Sequence, residues 1–227
     1  MKTIDSQDIF CKYNLVTHPI FSKDMARKPN TDQRRAEIVK GLLAAISAHG
    51  YDKATIQTIA QEAGLAPGLI HYHFKNKEAI LLELVKSLAA FARQRYDGLA
   101  ASATTAADRL KAYIDARLAL GDGADVQTVA AWVIIGAEAI RQPQVRAVYQ
   151  DVVTSELALL EALLKDYLDE RGKSTTCAAR LASTLVAFME GAFQLASAAN
   201  DIMPRGYAAD MALQLVTRFA DAEPDCR

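Results

Sequence analysis

Between Thr55 and Lys77 the chain reads TIQTIAQEAGLAPGLIHYHFKNK, which gathers two histidines, a tyrosine, two lysines and several short polar side chains in one stretch. His71 and His73 suggest a metal at first sight. Ligands on one helix face stand four residues apart, however, and residues two apart leave a helix on different sides, so no metal and no cofactor is expected. The other chemistry open to these groups is hydrogen bonding to a polyanion with readable edges. Imidazole and phenol carry polar tips on flat apolar bodies, which suits base edges, thymine methyls and phosphate oxygens. On this reading Gln57, Pro67, Gly68, His71 and Tyr72 touch bases or the backbone beside them, while Thr55, His73, Lys75 and Lys77 anchor phosphates.

Such side chains need short, steeply crossed elements to present them. Thr55 is a helix cap, and Ile56, Ile59, Ala60 and Ala63 follow as one apolar stripe. Gly64 ends that helix in the left-handed region, and Leu65 is read as a buried pivot. Pro67 opens a second short helix, where a missing N–H costs nothing, and Ile70 and Phe74 turn its apolar side inward. A turn this tight between two helices gives a helix-turn-helix. Asn76 caps the next helix beside Lys75 and Lys77, leaving a positive helix end that favours phosphate.

The run Thr55-x-x-x-Ile59-Ala60-x-x-Ala63-Gly64-Leu65-x-x-Gly68-x-Ile70-x-Tyr72-His73-Phe74-x-Asn76-Lys77-Glu78 resembles the DNA-binding signature of the TetR family of bacterial regulators. The match is long and ungapped. Three positions depart from the family pattern: Ala66 stands where Ser is usual, Leu69 where Thr or Ser is frequent, and His71 where Tyr is frequent. The first loses a cap and the second brings a hydrophobe to the groove, so family rules for the operator sequence do not transfer. The resemblance implies an all-α protein of about nine helices. It would have an N-terminal three-helix DNA-binding domain and a C-terminal helical domain for ligand binding and dimerisation.

Composition agrees with that class. The 227 residues are rich in Ala and Leu and poor in aromatics and prolines, with a net charge of −1. Residues 1–78 hold eleven Lys+Arg against eight Asp+Glu (+3), and the rest fifteen against nineteen (−4). A mildly basic front on an acidic body fits a DNA reader with a separate regulatory part. Cys11, Cys177 and Cys226 are odd in number and scattered, so neither disulfides nor zinc are expected and a reducing cytoplasm is the simple inference. No signal peptide and no apolar run of membrane length is read in the sequence.

Four regions follow. Residues 1–30 read as a flexible extension, in which Arg27 and Lys28 are either a basic arm near DNA or a solvated tail. Residues 31–78 form the helix-turn-helix domain, its first helix at 32–49 capped by Thr31 or Asp32 and buried through Ile38, Val39, Leu42, Leu43 and Ile46. Arg34 and Arg35 read as either solvated or phosphate-facing. Residues 79–222 form the effector-binding and dimerisation domain, and 223–227 a tail. A long helix from Lys77 continues to about Ala103. After the linker AASATTAA, which carries little information, further helices are expected at 107–120, 125–141, 143–171, 175–200 and 207–222, separated by GDG and by Gly- or Pro-bearing breaks.

The run VAAWVIIGAEAI, from Val129 to Ile140, is apolar nearly all round, and with RQPQVRAVY behind it resembles the BetI-type regulatory domain. Phe91, Tyr96, Tyr113, Arg117, Trp132 and Glu138 are the candidate pocket residues, because ring faces with a carboxylate hold cationic or aromatic ligands. Trp132 as plain core, and Glu138 paired with Arg141 or Arg117, are the competing readings. For self-association Leu181, Leu185, Phe188, Met189, Ala192, Phe193, Met211, Leu215 and Phe219 supply apolar surface on the last two helices. In the resembled family those helices form a four-helix dimer interface. The expected partners are therefore double-stranded operator DNA, a small-molecule effector and a second copy of the chain, with no membrane. A helical enzyme would need a nucleophile with a base, paired carboxylates or a metal cluster, and the body holds no histidine. A binding scaffold that has lost its operator has only Ala66, Leu69 and His71 in its favour.

Overall fold

The computed structural model describes residues 29–118, 126–204 and 206–225. Residues 1–28 of the expected extension, with the basic arm at Arg27 and Lys28, the GDG break, Cys11 and Cys226 lie outside them, while Pro29 and Asn30 are helical, and Cys177 is buried with its thiol free. The described residues form nine helices: α1 (Pro29–His49), α2 (Ile56–Ala63), α3 (Pro67–His73), α4 (Lys77–Ala100), α5 (Ala106–Leu118), α6 (Val126–Arg141), α7 (Pro143–Asp169), α8 (Ala178–Ala198) and α9 (Tyr207–Ala222). Their only strand-like pairing is an isolated bridge between Lys173 and Asp225.

Local grammar accounts for most of the ends. Thr55 caps α2 by accepting from the Thr58 N–H, and Gly64 closes it at φ 65°. Asn76 caps α4 through the Ala79 N–H at 2.9 Å, and Gly50, at φ 78°, follows the end of α1. Helix α1 starts earlier than expected, at Pro29, so Thr31 and Asp32 lie within its first turn. The segment taken for a plain linker holds a reciprocal cap: Asp108 accepts from the Thr105 N–H, and Thr105 Oγ1 accepts from the Asp108 N–H, both at 3.1 Å. Those hydrogen bonds, Thr105 first, hold the Asp108 carboxyl below its ordinary range. The start of the tail is tied down as well, since Pro224 accepts from the Ser174 N–H at 2.9 Å and Lys173 pairs with Asp225 at 2.7 Å.

The front domain is a small core of Ile38, Leu42 and Ile46 from α1, Ile59 from α2, Ile70 and Phe74 around α3, and Ile80, Leu81 and Leu84 from α4. Gly41 sets how closely α1 lies on α2. A Cβ there would stand 2.6 Å from the Ile59 carbonyl oxygen and 2.9 Å from Ala63 Cβ. Gly41→Ala therefore forces the two helices apart, an overpacking cost of about 1–3 kcal/mol. That exceeds the ~1 kcal/mol an alanine gains in a helix. Thermal denaturation should show a lowered midpoint, by roughly 2–4 °C per kcal/mol for a chain of this size.

Helix α4 carries the front domain into the body as one 24-residue rod, about 36 Å long at 1.5 Å per residue. In the body α6, α7 and α8 pack on one another, α5 lies against α4 and α7, and α9 lies across α5 and α8. A second contact ties the halves together, because α1 also packs against α6. Helix α8 is long and apolar enough, at a mean hydropathy of 1.2, to cross a membrane by composition, a feature the sequence reading missed. Its inner face is part of the core, with Leu181, Ala182, Leu185 and Met189 buried.

Candidate nucleic-acid interface and regulatory site

Helix α3 exposes most of its side chains expected to meet DNA. Gln57, Pro67, Gly68, His71, Tyr72 and Lys75 are all exposed, Tyr72 at 80%, while Ile70 is fully buried beneath them. His73 is half-buried with its ring edge-on to Tyr72, 5.0 Å between centroids. Its carbonyl accepts from Arg35 Nη1 at 2.9 Å, and the Arg35 guanidinium also lies 4.1 Å from the Phe74 ring centroid and pairs with Glu83 at 3.2 Å. Arg35 thus clamps the end of α3 to α1 and α4, where the sequence left it solvated or facing phosphate. Arg34 pairs with Glu37 at 2.6 Å.

Two of the expected phosphate anchors have work inside the chain. Lys77 Nζ donates to the Tyr51 carbonyl at 2.8 Å and stands 4.1 Å over the Tyr51 ring. Thr55 Oγ1 is engaged in the α2 cap with Thr58. Ala66, at the N-cap of α3, makes no side-chain cap.

Gly68 contrasts with Gly41. A Cβ at Gly68 would meet nothing within 4 Å, and its backbone is not left-handed. Nothing in the chain itself requires a glycine there, and an exposed helical glycine costs about 1 kcal/mol relative to alanine. A side chain is missing where an outside body would need close backbone approach. Gly68→Ala should therefore raise the thermal midpoint while weakening DNA binding, a pair of opposite signs that denaturation and anisotropy titration read separately.

In the body the structure gathers side chains from α4 to α8 into one polar and aromatic cluster. Trp132 stacks on Tyr149, centroids 4.9 Å apart. Trp132 Nε1 donates to Glu190 at 2.9 Å, and Tyr149 Oη donates to the same carboxylate at 3.4 Å. Tyr113 Oη donates to Glu156 at 2.6 Å and packs edge-on to Tyr96. Arg117 lies between, its Nε 3.8 Å from Glu156 and its guanidinium 5.4 Å from the Phe193 ring centroid. Two carboxylates against one guanidinium leave this aromatic-lined cluster with an excess of negative charge.

Of the expected pocket residues, Tyr96, Tyr113, Arg117 and Trp132 meet here. Phe91 is half-buried, five residues before Tyr96 and so on a different side of α4. Glu138 is a correction. It is buried at the far end of α6, where it pairs with Arg141 and accepts from Gln142 Nε2 at 2.7 Å. There it faces the front domain: the Gln142 side chain and the Glu138 charge both bear on Tyr51, and the Glu138 and Asp52 charges both act on Arg141. Tyr149, Glu156 and Glu190 were missed, since none stands out on its own helix.

The phenols give the cluster and the junction a pH signature. Burial first, then the Glu190 charge, pushes Tyr149 from 10.0 up to about 12. Burial and then Glu78 push Tyr51 equally far. Burial followed by Glu156 also raises Tyr113. A raised folded-state value means that the protonated phenol is favoured by folding. Stability is then fully present below pH 10 and is lost as pH rises through about 12. Denaturant melts across that window should show the decline, and Tyr149→Phe should reduce its slope.

Of the expected interface residues, Leu181, Leu185, Met189, Ala192 and Phe193 are buried in the chain's own core. Phe188 and Phe219 are half-buried, and Met211 and Leu215 are exposed. The outer stripe of α8 runs instead through Thr184, Ala187, Gly191 and Leu195, all exposed, and a Cβ at Gly191 would meet nothing within 4 Å.

Comparison with known proteins agrees with this architecture. Residues 38–84 match the model for bacterial regulatory proteins of the tetR family, and residues 106–223 that for the BetI-type transcriptional repressor C-terminal domain. The HTH-type transcriptional regulator BetI of Rhizobium meliloti (strain 1021) is 35% identical over 115 residues, covering 50% of this chain and 55% of that protein. BetI of Serratia proteamaculans (strain 568) is 30% identical, covering 52% and 60%. The chain thus spans a little over half the length of the curated relatives it matches. A putative transcriptional regulator from Pseudomonas aeruginosa PAO1 has the same fold, with a TM-score of 0.73, 22% identity, and 84% and 92% of the two chains covered. So does a putative regulator from Saccharomonospora viridis, solved in complex with choline, with a TM-score of 0.69, 23% identity, and 86% and 100% covered. By its front helices and its body together, the chain belongs to the TetR family of transcriptional regulators, with a regulatory domain of the BetI type.

Proposed function

We propose that the chain is a sequence-specific repressor that works as a homodimer in the cytoplasm, holds a palindromic operator, and is released by a small cationic molecule. Residues 31–78 read the DNA and residues 79–222 take up the effector and pair the subunits. The observation that carries the effector class is the Glu190 carboxylate set against the Trp132–Tyr149 stack, with Glu156 adding a second negative charge nearby. Ring faces and a carboxylate together favour a cation over a neutral or anionic ligand. The choline bound to the Saccharomonospora viridis neighbour supports the same class.

The exposed stripes of α8 (Thr184, Ala187, Gly191, Leu195) and α9 (Met211, Leu215) supply the surface on which a second copy packs. Pairing matters to reading. One seven-residue helix reaches few base pairs, whereas two held about 34–36 Å apart enter successive major grooves. Entry of the cation favours a dimer in which that spacing is wrong, which is a shift in population between two forms.

Fluorescence anisotropy on the DNA upstream of the chain's own coding region tests this, with choline and tetramethylammonium as probes. Wild type should bind and be released by the cations. Glu190→Gln should bind DNA equally well and need at least about tenfold more cation, in line with the roughly 1–4 kcal/mol between opposite charges about 4 Å apart, since a quaternary ammonium feels the carboxylate as a counter-charge and not as a hydrogen-bond acceptor. Absence of binding would remove the reader. Binding indifferent to both cations and to Glu190→Gln would remove the effector class.

A further inference from the structure

The first turn of the reading helix is chemically bare. From its N-cap, α3 runs Ala66, Pro67, Gly68, Leu69, and none of these side chains has a hydrogen-bond donor or acceptor. In a helix-turn-helix the N-terminal residues of the second helix are the ones that meet base edges. Here they offer only hydrocarbon. Leu69 is the sole large side chain among them, and it is half-buried where Ile70 beside it is fully buried. One turn further on, at the i+3 and i+4 positions that share its side of the helix, stand Tyr72 and His73 with their rings in edge-to-face contact. Gly68, with open space where a Cβ would be, leaves the approach to Leu69 clear.

The major groove presents one base-edge feature that hydrocarbon recognises, the C5-methyl of thymine. On the reading that α3 enters that groove, we propose that Leu69 is a specificity-determining residue that selects thymine through its methyl group, flanked by the Tyr72 ring. Polar readout is then left to the second half of the helix and to Gln57, with His71 and Tyr72 supplying the tips. A residue with a hydroxyl at position 69 would accept several bases, whereas a leucine beside any polar edge leaves that edge desolvated without a partner. The discrimination is therefore as much against guanine, cytosine and adenine edges as in favour of thymine.

The test uses the full chain and a duplex recovered from a random-sequence pool by successive rounds of binding. Each thymine in a half-site is replaced in turn by deoxyuridine, which lacks only the C5-methyl. Wild type should lose affinity at one thymine per half-site, by about fourfold for each half-site substituted, the equivalent of one buried methyl group. Leu69→Ala should lose a similar factor on the thymine duplex and be indifferent to deoxyuridine at that position. Leu69→Ser should behave likewise and relax base preference there in a repeated selection. Thermal melting of each variant confirms that the fold is kept. If the losses from Leu69→Ala and from deoxyuridine simply multiply, or no thymine methyl matters, Leu69 does not read thymine. If the pool yields no enriched duplex at all, it is the DNA-reading function that fails.

Discussion

The double variant His71→Ala, Tyr72→Ala should lose at least about a hundredfold in operator affinity while melting at the wild-type temperature. Both side chains are exposed on α3, Tyr72 at 80%, so removing them leaves the core untouched. Surface substitutions of this kind usually change stability by less than about 0.5 kcal/mol. Each base contact is worth about 1–3 kcal/mol, and a dimer loses each contact twice. Salt dependence separates the roles: losing base readers leaves the slope of affinity against salt nearly unchanged, whereas Lys75→Ala should reduce it, because a phosphate contact releases counterions. Anisotropy titrations at two salt concentrations measure both quantities, and undiminished binding by the double variant would sink the assignment of this face.

The largest loss of stability is expected in the body, from Glu156→Ala. The Glu156 and Arg117 side chains are each only 14% exposed, and Glu156 also accepts from Tyr113 at 2.6 Å. Removing the carboxylate leaves a guanidinium enclosed without its counter-charge and a buried phenol without its acceptor. Breaking one side of a buried pair costs about 3–5 kcal/mol. Glu156→Gln keeps an oxygen for Tyr113 and should lose less, so the difference between the two variants isolates the charge. Urea denaturation gives both values, and an alanine variant as stable as wild type would show that Arg117 is satisfied elsewhere.

How far these features could be read in the sequence depended on whether the signal was local. Thr55, Gly64, Pro67 and Asn76 each shape the chain within a turn or so of themselves, and the helix-turn-helix followed from them directly. The Thr105 and Asp108 cap is equally local and was readable as a helix start, but the alanines and threonines around it looked like linker. Glu190 and Glu156 were out of reach for a different reason. They come from two separate helices, and only packing decides which way each helix is turned. Helix α8 shows the same limit. Its apolar residues lie on nearly every side, so periodicity could not separate Leu181 and Leu185, which face inward, from Gly191 and Leu195, which face out. Lys77 was ambiguous by chemistry, since an ammonium at a helix start suits a phosphate and a carbonyl oxygen equally.

The contact of α1 with α6 bears on mechanics. A domain held by a single rod can swing in any direction about its point of attachment. The front domain is held at two places: through α4, which is continuous, and through the junction where Glu138 and Arg141 of α6, with Gln142 just beyond it, meet Tyr51 and Asp52, with Lys77 fixed to the Tyr51 carbonyl. Two attachments define an axis, so the small excursions open to the reading helix reduce to rotation about one line. The same α6 carries Trp132 at its middle. On the proposed reading, the angle of α3 and the entry of a cation beside Trp132 would both bear on one rigid element, less a relay than the shared axle of both.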